Sequence, residues 1–311
     1  MITTLTGPNS FEVQHRLKQL VDKFLAEYSD FGLEKLDGEE ASLEQLQGSL
    51  ESLPFLADKK LVILRSPSAN KQFAEQFEAI LERMSETTDA IIVEPKLDKR
   101  ASYYKLLKKR TEFTECNELD GRQLANWLSG QAKEQGGSLT SGDAYYLVER
   151  VGVNQQLLSN ELQKLLSYNP SITRQTIDLL TEETPQSTIF QLLDSAFAGN
   201  AKRAIKLYKE QRRLKVEPLA IIGMMAWQLH VLAVVKTAGK KSSGDIARDA
   251  KINPYVVQKS QTIADRLSYA ELKKLIREVA DLDEKLKTTA IDPDEALQHL
   301  LVTITSQVLD K

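Results

Sequence analysis

Apolar positions in the first 119 residues alternate between two rhythms. Short apolar or alternating runs predict strands at 2–7 ("ITTLTG"), 33–38 ("LEKLDG"), 59–66 ("KKLVILRS"), 89–95 ("DAIIVEP") and 111–116 ("TEFTEC"). Between them, apolar residues three and four apart predict helices over 10–28, 42–52, 70–84 and 101–109. The segment "NKQFAEQFEAILERM" puts Phe73, Phe77, Ile80, Leu81 and Met84 on one stripe. Residues 61–64 and 90–93 are apolar without a break, as in central strands covered on both faces. Strand and helix in alternation imply a parallel sheet in a three-layer α/β domain.

Beyond Leu119 the strand signal stops. Four short helices are expected between 120 and 185, with turns at Gly136-Gly137, Gly152 and Asn169-Pro170. Pro185 marks a boundary, and longer amphipathic helices follow at 187–198, 200–214, 217–238, 243–250, 254–266, 269–288 and 293–309. Gly199-Asn200 and Gly239 read as helix stops. The expected architecture is an α/β domain at 1–119, a small all-α domain at 120–185 and a larger all-α domain at 186–311.

Composition narrows the class. Apolar residues make up 41% and charged residues 27%, enough for real cores under a charged surface. The longest apolar stretch, 219–235, is interrupted by Gln228 and His230 and reads as a buried helix, since no run approaches the ~18 apolar residues of a membrane span. No basic-then-apolar leader opens the chain, and the expected compartment is the cytoplasm. The single cysteine, Cys116, can form neither an internal disulfide nor a zinc site and is expected to fill core beside a strand. A net charge of −3 gives no global attraction to nucleic acid.

Two positions where catalysis would sit lack its residues. The strand–turn–helix "LTGPNSFEV" occupies the place of a phosphate-cradling loop, but Gly7, Pro8, Asn9 and Ser10 supply one glycine and no lysine. Pro8 also removes an amide donor, and Ser10 reads as a helix N-cap. The strand 61–64 continues into Arg65-Ser66-Pro67, with no carboxylate to hold magnesium. His15, His230 and His299 are isolated from one another, and acidic pairs such as Glu39-Glu40, Glu182-Glu183 and Asp281-Asp283 fit solvated faces. No catalytic, cofactor or metal residue is assigned.

Three stretches remain. In "SLPFLADKKLVIL" the residues Leu53, Pro54, Phe55 and Leu56 place large apolar groups in a connector, where polar residues are the rule. They either staple the helix 42–52 to the core or protrude as a wedge into a partner's groove. "SSGDIARDAKINPYVVQK" carries Ile246, Ala247, Ile252, Val256 and Val257 in a helix-turn-helix pattern, so 243–260 offers an alternative reading as a DNA-binding element, although Lys251 and Lys259 supply little charge for phosphate and Pro254 opens the second helix. The basic stretch 96–110 either contacts phosphate or forms a solvated amphipathic helix.

With these residues assembled, the chain resembles the delta subunits of bacterial DNA polymerase III, from residue 1 to about 309. The carriers are "LTGPNSFEVQHRLKQL", "SLPFLADKKLVILR", "EPKLDKRASYYKLLKK", the Asn160, Glu161, Leu162, Lys164, Leu165 pattern, and "TIFQLLDSAFAGNAKRAIKLY", "GDIARDAKINPYVVQK" and "DLDEKLKTTAIDPDEALQHLL". The resemblance implies an AAA+-like first domain without a working P-loop, a lid-like middle domain and a C-terminal collar. It implies a subunit that binds and opens the ring-shaped sliding clamp (beta) without hydrolysing ATP or carrying catalytic residues of its own, inside a DNA-directed DNA polymerase holoenzyme. Clamp contact falls on Leu53, Pro54, Phe55 and Leu56. Implied partners are the ATPase subunits (gamma/tau) and delta-prime through the collar, with primed DNA in the assembly. The sister alternative, an inactive delta-prime-like subunit, is disfavoured by "PFLADKKLVILR" and by the missing Ser-Arg-Cys trio.

Overall fold

The structure, a computed structural model, describes residues 1–239 and 241–309; Lys240 and residues 310–311 of the expected C-terminal domain lie outside the described residues. The chain divides into two compact units, Met1–Glu118 and Leu119–Lys311.

In the first unit five strands, β1 (Ile2–Thr6), β2 (Leu33–Asp37), β3 (Lys60–Arg65), β4 (Thr88–Glu94) and β5 (Glu112–Glu115), form one sheet in the order β2-β3-β4-β1-β5. Every pairing is parallel, with Leu61 opposite Leu33 and Asp89. The connecting helices are α1 (Ser10–Glu27), α2 (Leu43–Glu51), α3 (Lys71–Arg83) and α4 (Ser102–Arg110). Period-two alternation inside the apolar runs sends side chains to two cores. Leu61, Ile63, Ile91 and Val93 join Leu5, Val13, Leu17 and Phe24 on the α1 face. Val62, Leu64, Ala90 and Ile92 join Leu46, Leu50, Phe73, Phe77, Ile80 and Leu107 on the face of α2, α3 and α4. Each fully buried Leu, Ile or Phe contributes roughly 1.5–3 kcal/mol over its exposed state. The stripe expected on α3 is therefore a core stripe, with Phe73, Phe77 and Tyr103 in ring contact at centroid distances of 5.5 and 5.1 Å.

The turn after β1 corrects one expectation. The N-cap of α1 is Asn9, whose Oδ1 accepts the Glu12 N–H at 3.0 Å, and Ser10 is the first helical residue. The cap moves back one residue because Asn9 is held twice by the end of β5. Its N–H donates to the Cys116 carbonyl at 3.1 Å and its Nδ2 to the Asn117 carbonyl at 3.1 Å. Gly7 sits at φ +118° directly against that strand end, where a Cβ would lie 2.2 Å from the Cys116 oxygen. Cys116 itself is buried, and burial pushes its thiol pKa up.

The second unit opens with α5 (Gly121–Glu134), β6 (Ser138–Leu139), α6 (Ser141–Val151), α7 (Gln155–Tyr168), β7 (Ser171–Ile172) and α8 (Arg174–Leu180). The two-residue parallel pair β6–β7 corrects the all-helical expectation. Two residues per strand are too few to show a period in sequence. Then come α9 (Pro185–Phe197), α10 (Ala201–Arg213), α11 (Pro218–Thr237), α12 (Ser243–Ala250), α13 (Pro254–Arg266), α14 (Tyr269–Thr288) and α15 (Pro293–Leu309). One apolar core runs from Leu124 to Ile304. Helix α11 has the length and apolarity to cross a membrane, which corrects the expectation that no run comes close. Its place is central within the unit: it packs on α9, α13, α14 and α15, and the buried Gln228 donates to Ser260 Oγ at 3.0 Å. Half of its apolar window is buried there, while Leu219 and Trp227 stay exposed. Arg150 ties α6 to the segment before α9, donating from Nη2 to the Thr181 carbonyl at 2.8 Å and lying 3.4 Å from Glu183.

Gly7→Ala should lower the stability of the first unit by about 2–4 kcal/mol, the sum of a disfavoured φ and a backbone clash. A urea midpoint equal to wild type would show that the turn relaxes freely.

Candidate functional site

Residues 52–59, joining α2 to β3, form a turn that is apolar at its tip and polar at its base. Leu53, Phe55 and Leu56 are 75%, 83% and 74% exposed, and Pro54 is half-buried. Side chains that staple a helix to a core are buried, so the stapling reading fails for these three. Leu56 adopts φ +60°, the left-handed region, which costs a branched side chain roughly 1–2 kcal/mol. Nothing in its burial offsets that cost.

The base is fixed by charge. Ser52 closes α2, its N–H donating to the Gly48 carbonyl, and its Oγ accepts from Lys60 Nζ at 2.8 Å. That lysine is buried and lies 3.7 Å from Glu34 on the neighbouring strand. Lys59 pairs with Asp89 at 2.8 Å, and Asp89 also meets the terminal ammonium of Met1. Burial alone would raise the Asp89 carboxyl, but hydrogen bonds from Lys59 and the ammonium together hold it below the usual carboxylate range. The Asp89 hydrogen bond in turn raises Lys59. A short apolar tip thus stands on a base that cannot swing without breaking ion pairs.

A fourth exposed group was not legible in the sequence. Phe31, 74% exposed, lies in the 3₁₀ turn Asp30–Gly32 that leads into β2. Ser29 caps that turn, accepting the Phe31 N–H at 3.2 Å. Its neighbour Gly32 lies so close to the other connector that a Cβ there would stand 2.3 Å from the Lys59 oxygen. A lone aromatic between Asp and Gly has no periodicity to reveal it.

The remaining candidates separate. At the opposite end of the sheet, Glu94 at the end of β4 is buried and accepts from the Ser68 N–H at 2.8 Å and Oγ at 2.9 Å. Burial raises its carboxyl. It anchors the turn after β3 and faces no other carboxylate among the described residues. In the 243–260 hairpin, Ile246, Ala247, Val256 and Val257 are buried, but Lys259 lies over the Phe190 and Tyr255 rings at 5.2 and 5.8 Å instead of projecting toward phosphate. Burial among those rings lowers its pKa. Within 96–110, Tyr103, Tyr104 and Leu107 are core while Lys105, Lys108, Lys109 and Arg110 are exposed. His230 and His299 are exposed, His15 stacks on Phe11, and no group of three metal-ligating side chains occurs among the described residues.

Comparisons with known proteins agree over most of the chain. The family model for DNA polymerase III, delta subunit, matches residues 4–117, and that for the delta subunit's C-terminal domain matches 186–304. The chain is 24% identical over 310 residues to DNA polymerase III subunit delta of Bacillus subtilis, covering 94% of this chain and 88% of the relative. It is 20% identical over 321 residues to a probable DNA polymerase III subunit delta of Aquifex aeolicus, covering 97% and 90%. Among solved structures, the Bacillus subtilis DNA clamp loader delta protein superposes with a TM-score of 0.82 at 22% identity, covering 98% of this chain and 95% of that one.

Two outcomes are expected. Leu56→Gly should leave the urea midpoint unchanged or raise stability by up to about 1 kcal/mol, because glycine relieves the left-handed strain at a modest entropic cost; a loss above that would mean the Leu56 side chain packs. The native Asp89 carboxyl lies below its unfolded value of 3.8, so its ion pairs stabilise the fold above that pH and lose their effect as pH falls through the native value. Asp89→Asn should therefore destabilise at pH 7 and differ progressively less from wild type in acid melts.

Proposed function

The chain belongs to the DNA polymerase III delta-subunit family, and on that premise we propose that it binds and opens the ring-shaped sliding clamp through the tip formed by Leu53, Pro54, Phe55 and Leu56. One observation supports that placement above the others: large apolar side chains stand in solvent on a turn whose base is tied down by Lys59, Lys60 and Asp89. A tip of this kind gains by entering an apolar pocket, and Phe55 and Leu56 would each contribute roughly 1.5–3 kcal/mol. Opening follows from preference. If the tip fits the open or strained ring better than the closed one, binding shifts the ring toward opening by that difference in affinity and no more.

The subunit does this without hydrolysing ATP. The turn after β1 supports that part of the reading, since Gly7 is packed on the Cys116 oxygen, Pro8 has no N–H, and Asn9 spends its amides on β5. A phosphate would have to displace those bonds. Energy for the cycle then comes from ATPase subunits (gamma/tau), which with delta-prime join the helices of 186–311 as a collar, the lid-like helices of 120–185 lying before it in the chain. Primed DNA enters the assembled loader, and the subunit works in the cytoplasm, where the chromosome is.

Titrating the full chain with the sliding clamp of the same organism tests the reading. Phe55→Ala should weaken the complex by about 2 kcal/mol or more while circular dichroism stays unchanged. Equal binding by wild type and variant would remove Phe55 from the interface.

A further inference from the structure

Phe31 is a second exposed aromatic beside the tip proposed for the clamp. Four large apolar side chains are more than seven-tenths exposed among the described residues: Leu53, Phe55, Leu56 and Phe31. The first three share one connector; Phe31 belongs to another, the link from α1 to β2. Parallel pairing brings the two connectors together. β2 and β3 lie side by side with Leu33 opposite Leu61, so the segments entering them leave the same edge of the sheet. Contact at the backbone follows, Gly32 lying against the Lys59 carbonyl and the Ala57 side chain. From this we propose that Phe31 is a further anchor for the sliding clamp, entering the clamp beside the 53–56 tip as part of one two-connector surface.

The charges beside the tips identify the kind of occupant. Exposed Asp30 precedes Phe31 and exposed Asp58 lies two residues after Leu56, while the adjoining Lys59 is engaged by Asp89. Apolar tips flanked by exposed carboxylates repel a nucleic acid or an anionic bilayer and suit an apolar pocket on a protein with a polar rim. Phe31 is also held ready. Ser29 caps its turn and Gly32 is pinned on the next connector, so little backbone order remains to be gained on docking. The inference rests on the clamp reading above.

The test compares full-length wild type with Phe31→Ala, Phe55→Ala, the double variant and Tyr168→Ala, each titrated with the purified clamp and each melted thermally. Tyr168 is a 60% exposed aromatic in the second unit and serves as the control for generic loss of apolar surface. Phe31→Ala should weaken binding about ten-fold or more with an unchanged melt, and Tyr168→Ala should bind as wild type. If Phe55→Ala weakens binding and Phe31→Ala does not, the second anchor is overturned and the clamp reading stands. If neither variant differs from wild type, or wild type does not bind, both are overturned together. A loss in the double variant that departs from the sum of the two single losses would further support insertion into one shared site.

Discussion

Everything in the first unit hangs on a strand that is buried from both sides. β3 has α1 beneath Leu61 and Ile63 and the core of α2 and α3 above Val62 and Leu64, so it can shift neither in register nor in tilt without opening a cavity. The exposed tip is the segment that feeds directly into this strand. Its precision comes from the strand's burial, and its freedom to be apolar comes from standing outside that core. The usual trade-off in such a chain, between apolar surface for a partner and apolar surface for folding, is resolved by a boundary only a few residues long.

Polar chemistry draws that boundary. Lys60 is buried yet ends on Ser52 across the mouth of the turn, and Lys59 ends on Asp89 of β4, so both ends of the base are tied down. Open α/β sheets ordinarily take ligands beyond the carboxyl ends of their strands. Here that end is occupied by the protein itself, with Gly7 on Cys116 and Glu94 on Ser68, and the exposed apolar groups gather at the amino edge.

How much of this could be read from the chain depends on scale. The uninterrupted runs at 61–64 and 90–93 and the stripe Phe73-Phe77-Ile80 were legible because burial imposes a period, and a period survives in sequence. The apolar turn at 53–56 was legible as an anomaly, although its exposure was not, since stapling and protrusion use the same residues. What escaped was set by single contacts. Asn9 took the cap from Ser10 because the end of β5 offers it two carbonyls. The pair β6–β7 is two residues long. Lys259 lies on the ring of Tyr255 from its own helix and on that of Phe190 from α9. Phe31 becomes visible only when the parallel order of β2 and β3 is known.

The parallel pairing beneath the tip also has a mechanical side. A push or pull on residues 53–56 along β3 runs along the strand axis and loads its hydrogen bonds to β2 and β4 in shear, all together. A hairpin carrying the same tip would be loaded from its end and would open bond by bond. A force applied at the apolar edge is therefore shared among the ladder hydrogen bonds of β3 and does not fall on one of them.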